Sequence, residues 1–135
     1  MFMKKKLSLL LAVMFVTFFN SCHSQEKVKW KEMEEFHTIM AQTFHPAEEG
    51  KMEPIKSRSQ EMLDKAIAWE SSTAPAGYDQ NAVKKTLKDL VKGAKEINKL
   101  IKENAQDNII KEKLSGLHDI FHEIMEKCEK EDHIN

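Results

Sequence analysis

Imidazole nitrogen and thioether sulfur are the side-chain donors that suit copper, zinc and iron. This chain of 135 residues carries both in a string that occurs twice: Phe36-His37-Thr38-Ile39-Met40 and Phe121-His122-Glu123-Ile124-Met125. If the segments that hold them are antiparallel neighbours, His and Met from both fall at one height. The chemistry on offer is then binding of a transition-metal ion, copper or zinc, or of a haem iron. His37 is the strongest single candidate, because Met33 and Met40 stand four and three residues away on the same side of a helix. That Met-His-Met ridge is expected to point inward. Its bland counterpart is a core histidine satisfied by a carboxylate or carbonyl, with methionine as packing filler. His118 and His122 lie four apart, which puts both imidazoles on one side of a helix with about 6 Å of rise between them. A chelating pair still needs a third and usually a fourth ligand.

Four helical segments have to position these groups, each read from apolar residues three and four apart and bounded by Pro, Gly or polar clusters. The first covers residues 28 to 44, with Trp30, Met33, His37, Met40 and Phe44 as its stripe, and is expected to stop at His45 because Pro46 disfavours helical geometry before it. The second starts at Glu53-Pro54, where proline suits a first turn, and carries Ile55, Ser59, Met62, Ala66 and Trp69. After a loop containing Pro75 and Gly77, Asp79 can cap a third helix with the stripe Val83, Leu87, Leu90, Ala94, Ile97 and Ile101. Asp107 can cap a fourth, with Ile110, Leu114, Leu117, Phe121, Ile124 and Cys128. Strand signals are missing. The expectation is an all-α, up-down-up-down antiparallel four-helix bundle over residues 28–131.

Aligning the stripes of the first and last helices sets Phe44 near Leu114, Met40 near His118, His37 near Phe121 and Met33 near Met125. His37, Met40, His118 and His122 then form the expected metal site. Because Phe121 lies on its stripe while His122 lies beside it, the two copies of the string are expected to face differently. His45, with Glu48, Glu49 and Met52, opens a second place for an ion. It lies about 12 Å along the helix from His37 and reads better as a helix stop.

A bundle of this length, with Met33 early in its first helix and His118 and His122 late in its last, resembles the periplasmic cytochrome bundles of the soluble b and c-prime types. The resemblance implies haem b with Met33 and His122, or His118, as axial ligands and electron transfer as the role. The c-prime type attaches haem through CxxCH. Here the corresponding stretch ends in a lone Cys128, so any haem would be held without thioether bonds.

The front of the chain gives an address. Lys4, Lys5 and Lys6 precede an apolar run over residues 7 to 19 that is too short to span a bilayer comfortably, so residues 1–21 read as a secretion signal. Ser21-Cys22 resembles a lipoprotein cleavage box, with Phe19 where leucine is usual, and lipidation of Cys22 is the expectation. Cleavage after Ser24 competes with it. Residues 22–27 would be a tether and 132–135 a tail, and the protein would sit in the periplasm or cell envelope, anchored to the membrane. With the three signal lysines gone, 18 basic residues of the original 21 face 22 acidic ones, a net charge of −4 that argues against nucleic acid as a partner. The hydrolase, zinc-protease and phosphate-loop motifs are absent. A bundle without cofactor, working as an envelope interaction module, is the rival from another class. Its candidate surface is the lysine ridge of the third helix, Lys84, Lys88, Lys92, Lys95, Lys99 and Lys102, with Glu96 and Glu103 reading as acids that weaken its field.

Overall fold

The computed structural model describes residues 28–130, which form α1 (Lys31–Glu48), α2 (Glu53–Ser71), α3 (Gln80–Lys102) and α4 (Asp107–Lys130). Each helix packs along the next in sequence, and α1 closes the ring against α4 along a sparser seam. Short connections force neighbours to run antiparallel, so the architecture is the up-down-up-down bundle. The stretches expected to be secretion signal, lipidated Cys22, tether and tail lie outside the described residues. Among those described, no helix is long and apolar enough to cross a membrane.

Local chemistry explains the ends, with two departures from expectation. Helix α1 does not stop at His45. Pro46 lies inside its last turn and Ala47 beyond it is buried. A proline this close to the terminus removes only one hydrogen bond, and burying Ala47 favours the extra turn. The helix instead ends where Gly50 takes φ +83°, letting the Lys51 and Gly50 N–H groups donate to the Pro46 and Ala47 carbonyls at 2.9 and 3.0 Å. Asp79 caps α3 as expected, accepting from the N–H groups of Asn81 and Ala82 at 2.9 and 3.2 Å. Asp107 does not cap α4. It is the first helical residue, Gln106 supplies the opening carbonyl, and the Asp107 carboxylate pairs with Lys56 of α2.

The stripes of α2, α3 and α4 are buried as read, with Ile101 only partly covered. The stripe of α1 is shifted: Met33, Phe36, Met40, Thr43, Phe44 and Ala47 are inside, and His37 is exposed. A phenyl ring gains more from burial than an imidazole whose two nitrogens would need partners there, so Phe36 takes the inner position and its neighbour turns out. Phe36, Trp69 and Phe121 then pack as one aromatic layer, with centroids 5.7 to 6.1 Å apart, and Trp30 meets Trp69 edge-on at 6.0 Å. One polar chain crosses the α2–α3 interface: Ser59 Oγ donates to Asn98 Oδ1 at 2.8 Å and Asn98 Nδ2 donates to Gln60 Oε1 at 2.9 Å. Among the described residues the core runs from Trp30 to Cys128.

Two glycines test the backbone argument with opposite signs. A methyl group at either Gly50 or Gly116 would enter open space. At Gly50 it would be forced into left-handed geometry, and Gly50→Ala should lower stability by about 1–2 kcal/mol. Gly116 lies inside α4, where alanine loses less conformational freedom, and Gly116→Ala should raise stability by about 0.5–1 kcal/mol. Urea midpoints at unchanged slope read both effects; shifts of the same sign would refute the assignment of the α1 end.

Candidate metal site on the α1–α4 seam

The two repeated strings face the same way, contrary to expectation. Phe36 and Phe121 are buried, Ile39 and Ile124 are buried, and His37 and His122 are both exposed. Across the antiparallel seam Phe36 meets Phe121 at 5.9 Å, and His37 stacks on Phe121 with centroids 5.0 Å apart and planes 24° apart. The His37–Phe121 pairing is the one the register gave. Phe44, placed near Leu114 by that register, lies against His118 one helical turn away, stacked at 3.9 Å and 12°.

The Met-His-Met ridge does not form. Met33 and Met40 are 5% and 1% exposed and belong to the core, while His37 lies on the flank of the helix. Among the described residues, no hydrogen bond or ring contact joins His37 to His118 or His122.

His118 and His122 do come together. Their Nε2 atoms are 3.1 Å apart and their rings are nearly perpendicular, with centroids at 4.4 Å. His118 is half-buried beneath Phe44, and its pKa lies below the usual histidine range. Burial is the largest cause and the neighbouring His122 the next; His45 lowers it further, while Asp119 and Glu48 oppose. A histidine kept neutral has a ring nitrogen free to accept a proton or an ion.

His45 and Glu48 reach this place because α1 runs on past Pro46. The Phe44 ring has contacts with two imidazoles, its centroid 5.5 Å from that of His45 and 3.9 Å from that of His118. His45 Nδ1 is 3.8 Å from Glu48 Oε2, and both side chains are exposed. Reading His45-Pro46 as a helix stop hid this contribution. The signal that reveals it is His45-x-x-Glu48 followed by a glycine C-cap, a last turn rather than a loop.

The separation within the pair fits coordination. Two nitrogens held about 2.0–2.1 Å from one ion stand about 2.9 Å apart at a square-planar angle and about 3.4 Å apart at a tetrahedral one. The observed 3.1 Å lies between. Without an ion the same distance suits a hydrogen bond between one protonated and one bare nitrogen. Among the described residues no group of three or more His, Cys, Asp or Glu is placed to hold an ion, so an ion at this pair would have two protein ligands.

Haem does not fit these residues. Met33 is inside the core and His122 is exposed, while Phe36, Trp69 and Phe121 fill the interior with rings in contact. A porphyrin bridging Met33 and His122 would have to displace that layer. The grooves of about 290 Å³ between α2 and α3 and about 210 Å³ between α1 and α2 are lined by neither residue. Cys128 is buried at the end of α4. No protein-family model, curated protein or solved structure matches the chain.

Proposed function

We propose that the protein is an exported, lipid-anchored helical bundle that binds a single zinc or copper(II) ion at the surface, through His118 and His122. The observation that carries this reading is the 3.1 Å separation of the two Nε2 atoms on one face of α4. Met33 and Met40 are in the core and give this pair no thioether ligand, so zinc and copper(II), which imidazole suits, are the ions of choice. Two protein ligands and open positions make a labile site, one that accepts an ion and passes it on, in contrast to the closed sites that hold structural zinc. Export and the Cys22 anchor rest on the sequence of the first 22 residues.

The second reading, a cofactor-free envelope interaction module, is favoured by the packed core and the missing third ligand. Calorimetric titration of the purified protein with zinc(II) and copper(II) separates the two. One ion per chain, with binding lost in the double variant His118→Ala/His122→Ala, supports the metal site. Identical heats for the native protein and the double variant leave the interaction module.

A further inference from the structure

We propose that the lysine face of α3 is a docking surface for anionic lipid head groups, which would lay the bundle flat on a bilayer. At 100° per residue, Lys84, Lys88, Lys92, Lys95, Lys99 and Lys102 fall within an arc of about 80° and extend about 27 Å along the helix. All six are exposed. Of these six, only Lys99 forms an ion pair with a described residue, Glu103 at 3.8 Å. The structure also removes an objection to this surface. Glu96, which reads in sequence as an acid beside the stripe, is turned to α4, where Lys113 takes its carboxylate at 3.1 Å. Asp89 is engaged by Lys85 at the same margin. On the other side Glu70 lines a groove with Lys84 and Lys88, a single acid against two cations.

Charge complementarity selects the occupant. The row runs along the outer face of one helix, with a groove only at its Lys84–Lys88 end, and carries none of the aromatic platforms that stack nucleic-acid bases. Arg58, the only arginine, is on α2 and held by Glu61 and Gln42, so the planar fork that recognises discrete carboxylates or phosphates is missing from the face. Flexible point charges suit a surface whose negative charge is spread out, as a leaflet of acidic lipids is. Ile67, an exposed apolar side chain of α2, stands seven residues from Gln60, which reaches across to Asn98 of α3, and so lies on the side facing this row. Helix α1 is not a neighbour of α3 in the ring. Docking by α3 therefore leaves the α1–α4 seam open to solvent, and the surface stands or falls independently of the metal site.

Residues 23–135, the expected mature chain without Cys22, are the material for the test, with circular dichroism checking their folding. Sedimentation with phosphatidylcholine vesicles, with and without phosphatidylglycerol, should show binding only to the acidic vesicles, released by high salt. Lys88→Gln/Lys92→Gln/Lys95→Gln should weaken partitioning about a hundredfold. The control triple Lys29→Gln/Lys31→Gln/Lys51→Gln, equal in charge but on α1 and its flanking residues, should change it little. Absence of binding, equal binding to both vesicles, or equal loss in both triples would overturn the proposal. Binding to polyglutamate in preference to acidic vesicles would overturn it too, by assigning the face to an acidic protein.

Discussion

Phe121→Ala should lower the unfolding free energy by about 3–5 kcal/mol, the largest stability loss expected of a single change in this protein. The ring is 2% exposed and touches three helices' worth of aromatic structure: Phe36 at 5.9 Å on α1, Trp69 at 6.1 Å on α2, and His122 at 5.7 Å on its own helix. It is also the platform on which His37 stacks. Truncation leaves a cavity under the seam that rigid neighbouring rings cannot collapse to fill. For a domain of this size the total is about 5–15 kcal/mol, so the variant would lose a large part of it. Phe121→Leu keeps most of the volume and should cost less than about 1.5 kcal/mol. Urea unfolding followed by circular dichroism reads both. A loss below about 1 kcal/mol for Phe121→Ala would show that the aromatic layer is not the centre of the bundle.

How much could be read without coordinates depends on which force decides each position. The bundle and three of its four stripes were legible because three-four spacing of large apolar residues has one physical outcome when connections are short. Helix α1 was not, because Phe36 and His37 are adjacent and both complete a three-four pattern with Met33 and Met40. Spacing cannot choose between them. The cost of burying imidazole nitrogens against the gain from burying a phenyl ring can, and it selects Phe36. The same choice undid the converging His-Met site, since turning His37 out leaves its methionines inside. His118 and His122 survived because their meeting depends only on one helix's own geometry. His45 was read as a separate second site beside a helix stop, and apart from His118, for a local reason: the rule against helix before proline is stronger in mid-helix than in a last turn, where few residues follow to be disrupted. Asp107 shows the complementary error. Asp79 and Asp107 read alike as caps, yet only an interaction across the bundle, the Lys56 pair, tells that the second carboxylate is engaged elsewhere.

Metal affinity should therefore fall in an order that spacing alone would not give. His118→Ala and His122→Ala should each remove zinc and copper(II) binding, since either change leaves one imidazole where two shared the ion. His45→Ala should weaken binding about tenfold, as expected for a neighbouring partner that orients or completes the site without founding it. His37→Ala should leave affinity unchanged: its ring lies against Phe121 and makes no contact with the pair. All four changes fall at exposed or half-buried positions, so folding is preserved and the losses report ligation. Competition with a zinc-sensitive dye, run on the four variants side by side, gives the ranking directly. Equal losses at His37 and His118 would restore the site drawn from the repeated strings and require α1 to rotate about its axis. Loss at His45 as severe as at His118 would move the centre of the site to the α1 end, with Glu48 in its coordination and His122 outside it.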